Sequence, residues 1–212
     1  MRPFTFDIDP ANANAVGLAD TNASSGTTFT LDGALTSGGA FTSADGLAHR
    51  LIITDVGASN QTTATYTITG TDADGIAQVE AIAGPGISST VTTTSYFLTV
   101  TSVTIASPVA TSTASLGTVD EVVSKILPLN YRAHEPATHA VDVTGTIDYT
   151  VQETQLNAGT PENISWFPIT ALTAKTADLK ESGELHSSAT RLVVNSYSST
   201  AEIKWVVFQN EG

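Results

Sequence analysis

The sequence predicts an all-β protein, and three observations predict it. The 212 residues include 35 Thr and 20 Ser, against 29 charged side chains. Thr has a stiff, branched Cβ and a hydroxyl that can face water, so it suits a pleated, half-buried surface. Several runs alternate apolar and polar residues with the period of two that turns one face of a strand inward. Gly, Asn and Asp break these runs at short intervals, and no comparable window carries the 3.6-residue period of a helix. The expected architecture is two antiparallel β-sandwich modules, jelly-roll or immunoglobulin-like, with an extended N-terminal arm.

Residues 1–28 are poor in large apolar side chains, as in Asp9-Pro10-Ala11-Asn12-Ala13-Asn14. Such a segment has too little to bury for a core of its own, so it reads as a frayed terminus or as an arm that orders on a neighbouring subunit. Residues 29–107 read as the first module. They open with Phe29-Thr30-Leu31 and a turn at Gly38-Gly39, and continue through Arg50-Leu51-Ile52-Ile53-Thr54-Asp55-Val56 into a meander from Thr63 to Val103. In the meander Thr63, Thr65, Thr67 and Thr69 fall on one face and Ala64, Tyr66 and Ile68 on the other. Residues 108–121 are small, polar and weakly patterned, as a linker would be.

Residues 122–212 read as the second module. Thr118 to Pro128 suits a strand better than a helix, because Pro128 and the β-branched residues oppose helix continuation. Val141, Val143, Ile147, Tyr149 and Val151 share one face of an alternating run. Two further runs, Arg191–Tyr197 and Ala201–Gln209, are joined by the turn Ser198-Ser199-Thr200.

Two stretches carry a family resemblance. The pattern TITGTDADG…E…GPG…SYFLTVTSV, from Thr67 to Val103, resembles a β-sandwich module common in structural proteins of tailed-phage virions. VTGTIDYTVQET, then Trp166-Phe167-Pro168 and TRLVVNSYSSTAEIKWVVFQ, is similar to a C-terminal sandwich module of such proteins. The resemblance implies a non-enzymatic virion structural protein, made in the host bacterial cytoplasm and built into the particle as a capsid decoration or cement (accessory head) protein. Its implied partners are the major capsid protein or neck and tail proteins, together with further copies of itself. Two other placements stay open: a head-tail connector, neck or tail ring component, and a receptor- or carbohydrate-binding spike module.

The net charge of −13 is spread evenly. Residues 1–109 hold 2 basic and 9 acidic side chains and residues 110–212 hold 6 and 12, which gives −7 and −6. No basic stripe exists to neutralise phosphates, so direct nucleic-acid binding is not expected. Cysteine is absent, which excludes disulfides and thiolate metal sites. No run approaches the ~20 apolar residues of a membrane helix, and the first residues lack the apolar core of a secretory signal, so a soluble protein with no membrane partner is expected.

The candidate chemistry is thin. Asp72-Ala73-Asp74-Gly75 suggests a calcium loop, but Ile76 and Ala77 stand where such a loop needs an oxygen ligand and a glycine. A hairpin turn with Gly75 at positive φ fits better. His134 and His139 are five apart with Pro136 between them, which breaks the helix a zinc-protease motif requires. The four histidines, His49, His134, His139 and His186, sit in no nucleophilic frame, and Gly84-Pro85-Gly86 precedes no helix that would bind phosphate. No catalytic residue, cofactor or metal is expected. The concentrated apolar mass near the C-terminus supplies the interface candidates Trp166, Phe167, Val206 and Phe208. Trp205 and Ile203 share one face of the last strand, and Phe208, Val206 and Lys204 share the other, so both faces need cover.

Overall fold

A computed structural model of the chain describes residues 3–209, apart from 24–25, 58, 131–135, 156–164 and 185. Among these residues strand accounts for 54% and helix for 2%, and the strands pair antiparallel, as the all-β expectation requires. In chain order the strands are β1 (Phe4–Ile8), β2 (Ala19–Ala23), β3 (Thr28–Phe29), β4 (Thr36–Ser37), β5 (Ala40–Thr42), β6 (Ala48–Asp55), β7 (Thr65–Thr71), β8 (Ala77–Ala83) and β9 (Thr90–Thr92). They continue with β10 (Thr99–Ala106), β11 (Thr113–Val123), β12 (Leu127–Pro128), β13 (Thr138–Thr144), β14 (Ile147–Thr154), β15 (Phe167–Pro168), β16 (Leu179–Ser182), β17 (Ala189–Tyr197) and β18 (Glu202–Phe208). The chain divides into two compact units, Ala13–Asp120 and Met1–Asn12 with Glu121–Gly212.

In the unit Ala13–Asp120, one sheet runs β4-β5-β10-β7-β8, with β3 also on β10. The remaining strands run β9-β6-β11, with β2 on β11. The Thr-rich alternation does what its period requires: Tyr66 and Ile68 are fully buried while Thr65, Thr67, Thr69 and Thr71 lie half-exposed on the other face. Tyr66, Ile68, Val100, Val103 and Ile105 from the first sheet join Leu51, Ile53, Ala114 and Leu116 from β6 and β11 in a single buried cluster. The β7–β8 turn closes on Asp72, whose carboxylate accepts from the N–H of Asp74 and of Ile76 at 2.9 Å each, with Gly75 at φ +79°.

The second unit contains the sheet β1-β18-β13-β16 and the strands β15-β14-β17, with β12 on β17 and the end of β11 opposite it at Val122–Val194 and Val123–Val193. The run from Ala140 to Gln152, one pattern in sequence, is two strands in different sheets. Gly145, at φ +79°, makes the corner: a Cβ there would sit 3.0 Å from Ala201 Cα, a crowding that favours glycine. The chain changes sheets again between β17 and β18. The two crossings are tied where Ser198 N–H donates to Thr146 O at 2.8 Å. Trp205 is fully buried beside Phe6, ring centroids 5.3 Å apart.

Two segments differ from their sequence reading. Residues 1–28, expected as an arm, supply β1, paired with β18 from Phe4–Val207 to Ile8–Ile203, and β2, paired with β11. Residues 108–121, expected as a linker, hold most of β11, where Ala114, Ser115 and Leu116 are buried in succession. A strand covered on both faces loses its alternation, so its pattern reads as featureless.

Candidate functional site

The four interface candidates lie in two places. Val206 and Phe208 are on β18, on the face opposite Trp205 and Val207, and both are half-buried. Their cross-strand neighbours are Thr5 and Ala140 for Val206 and Thr138 for Phe208. Trp166 and Phe167 belong to a separate edge, where β15 pairs with β14. Arg191 lies over the Trp166 ring, 4.3 Å from its centroid, and its Nε–H donates to Gln152 Oε1 at 2.8 Å. Phe167 is the one candidate that is strongly exposed, at 51%.

Further along the Val206 face of β1, β18 and β13, towards Glu202, come charged side chains. The register sets Lys204 between Asp7 and Asp142, and these residues with Asp9 and Glu202 rim a shallow cavity of about 240 Å³. Trp205, Val207 and His139 are buried on the opposite face. His139 Nδ1 accepts from Trp205 Nε1–H at 3.4 Å, and its Nε2 has no hydrogen-bond partner. Burial pushes its pKa down to about 4, so the ring is neutral at neutral pH. His134 lies outside the described residues. Among the described residues no group of three or more His, Asp or Glu converges on one point, and no helix is long and apolar enough to cross a membrane.

Sequence reasoning missed the buried polar groups. Gln61, fully buried, donates from Nε2 to Asp55 Oδ1 at 2.8 Å and to Thr113 O at 3.1 Å, while its Oε1 accepts from Tyr66 OH. Ser88 N–H donates to the other Asp55 oxygen at 2.8 Å, which ties the Gly84-Pro85-Gly86 loop to the end of β6. Burial alone would raise the Asp55 pKa, but the hydrogen bonds from Ser88, Gln61, Ser59 and Gly57 outweigh it and hold the carboxyl below its ordinary range. A second such group joins His49 Nε2 to Asp45 Oδ2 at 3.0 Å, with Ser43 Oγ on the other Asp45 oxygen. The serine reaches the carboxylate and not the imidazole, so the three do not form a nucleophile–base pair. Tyr149 is pushed up to about 12 by burial and by the Asp178 carboxylate. No periodicity announces such groups, since their partners come from strands and loops that are not adjacent in one alternating run.

The remaining distinctive surface is the outer face of the six-stranded sheet. Thr71 and Thr99 share a cross-strand hydroxyl contact of 2.8 Å, and Thr69 stands opposite Ser102 and Thr67 opposite Thr104. On the other side of β7 these threonines face Ala77, Val79 and Ala81 of β8. Across β7, β8 and β10 this face carries hydroxyls and methyls and no charged side chain, in a chain of net charge −13. The side chains of this face offer no acid–base or metal-binding group. No protein-family model, no curated protein and no solved structure matches the chain.

Proposed function

We propose that the protein is a non-enzymatic structural component of a tailed-phage virion, acting through protein–protein contacts as a capsid decoration protein. The observation that carries this reading is the uncharged face of β7, β8 and β10. An acidic surface keeps copies dispersed in solution, and a charge-free patch is where a partner docks without like-charge repulsion. The phage-type sequence patterns around Thr67–Val103 and Val143–Gln209 supply the context. Each unit reads as a β-sandwich in support of that resemblance. In Ala13–Asp120 one buried cluster takes side chains from both sets of strands, and in the second unit the crossings at Gly145 and Ser198 carry the chain from one sheet to the other. Phe167, exposed at a two-residue edge strand, is a second contact point.

Quantitative mass spectrometry of particles purified from the phage that encodes the chain tests the proposal. Copy numbers on the order of hundreds per virion support shell decoration, and about a dozen support a neck or tail ring. Absence of the protein from purified particles would sink the virion reading altogether.

A further inference from the structure

Strand β8 ends the six-stranded sheet, with β7 on one side and, among the described residues, no strand on the other. In an antiparallel pair, alternate residues exchange hydrogen bonds with the neighbouring strand while those between aim their backbone groups away. Asp72 N–H donates to Ile76 O and Gly84 N–H to Ala64 O, each at 2.9 Å, which fixes the phase at both ends of the pair. The unbroken register between them makes Gln78, Glu80 and Ile82 the residues bonded to β7. The N–H and C=O groups of Ala77, Val79, Ala81 and Ala83 therefore point out of the sheet along a free edge.

Natural edge strands are kept from pairing by Pro, Lys, bulges or short length. β8 is seven residues long with an unbroken register and contains neither Pro nor a basic residue. Val79 is 63% exposed, the highest value among the exposed large hydrophobic side chains of the described residues. The one charged side chain, Glu80, is turned to the inner face, where its two oxygens accept from Thr94 and Ser95 N–H at 2.8 Å. Gln78 is held on the same face by Tyr96 O.

We propose that β8 is a homodimerisation edge, pairing antiparallel with β8 of a second copy across a two-fold axis at Val79. The occupant follows from the sequence of the strand. Ala77-Gln78-Val79-Glu80-Ala81 has nearly the same chemistry read in either direction, so a two-fold sets Val79 against Val79, Ala77 against Ala81 and amide-bearing Gln78 against carboxylate-bearing Glu80. The outward backbone groups of Ala77, Val79 and Ala81 each then meet a partner. The threonine face beside the edge is uncharged, so two chains of net charge −13 meet there with the least repulsion. This inference stands apart from the virion reading, since it concerns the isolated chain.

Sedimentation velocity on the full chain across a concentration series tests it. The expected result is a monomer–dimer equilibrium that tightens with added salt. Val79→Lys, which places two ammonium groups on the two-fold, and Ala81→Pro, which removes an edge N–H not used by β7, each weaken it about tenfold or more. The melt of dilute protein stays unchanged for Val79→Lys. Hydrogen exchange at the Val79 and Ala81 amides slows as concentration rises. A chain that is monomeric at about 1 mM in high salt, or a dimer indifferent to Val79→Lys, overturns the proposal.

Discussion

His139 lies almost parallel to Trp205, ring centroids 6.0 Å apart and planes inclined by 13°, with the indole N–H directed at His139 Nδ1. The stack buries an imidazole that cannot take up a proton without losing that acceptor and leaving a charge in an apolar layer. The second unit is thus built around a titratable group in its neutral form.

A pH dependence follows. Above pH 6.5 the imidazole is neutral in both folded and unfolded chains, and its contribution is fully present. As pH falls from 6.5 towards about 4, the unfolded chain binds a proton that the fold refuses, so stability drops by up to about 1.4 kcal/mol per unit. The total approaches about 3 kcal/mol at pH 4. Denaturant unfolding of the wild type and of His139→Gln between pH 7 and 4 checks this, with a flatter profile expected for the variant.

Gln61→Leu removes the amide shared by Asp55, Tyr66 and Thr113 while keeping the bulk of the side chain. Taking one donor from the buried Asp55 carboxylate and one acceptor from the Tyr66 hydroxyl should cost roughly 2–3 kcal/mol. The acid limb should change as well. Asp55 stabilises the fold above its ordinary pKa of 3.8, a contribution lost as pH falls through its lower folded value. Without Gln61 the folded pKa rises, so less is lost below pH 4. Melts of the variant at pH 7 and pH 3 measure both effects.

Removing residues 1–12 should destabilise the second unit and leave Ala13–Asp120 unaffected. β1 brings Ile8, 3% exposed, against β18 and sets Phe6 on Trp205, worth roughly 3 kcal/mol of apolar burial between them. Calorimetry of the truncated chain should show one transition at its original temperature and one lowered by several degrees. A single unchanged profile would return β1 to the status of a dispensable arm.

Phe167→Asp and Trp205→Ala separate surface from core. Phe167 is half in solvent, and its replacement should move the melt by less than about 0.5 kcal/mol, while under the proposed virion role it should reduce incorporation into particles. Trp205 is fully buried, so its truncation should cost about 3–5 kcal/mol. Val206 and Phe208, half-buried beside Ala140 and Thr138, should fall between the two.

The fold was legible where a strand has one wet face. Thr65 to Thr71 announces itself because hydroxyls and large apolar groups take turns, and the Asp72–Gly75 turn carries its own chemistry. The first half of β11 was illegible because Ala114-Ser115-Leu116-Gly117 is buried in succession and made of small residues with one Leu, while its second half, from Thr118, was read as strand. β1 was illegible for a different reason: its partner lies about two hundred positions away, and Phe4-Thr5-Phe6 means little without β18. The alternation of Ala140–Gln152 was correct in period but silent on the sheet change at Gly145, which depends on backbone geometry more than on pattern. The interface candidates on β18 came from counting apolar faces, which cannot distinguish a half-covered Phe208 from an exposed Phe167. The free edge of β8 needs the hydrogen-bond phase, which no sequence period encodes.

The pairing of β1 with β18 also sets a timetable. A ribosome delivers Phe4–Ile8 about two hundred residues ahead of their partners, so β1 must wait through the emergence of everything between. Ala13–Asp120 has its described strands in hand before β13 to β18 emerge and can fold during that interval. The second unit closes only once Glu202–Phe208 leaves the exit tunnel. A chain cut short before that point therefore carries a finished domain and an unclaimed strand.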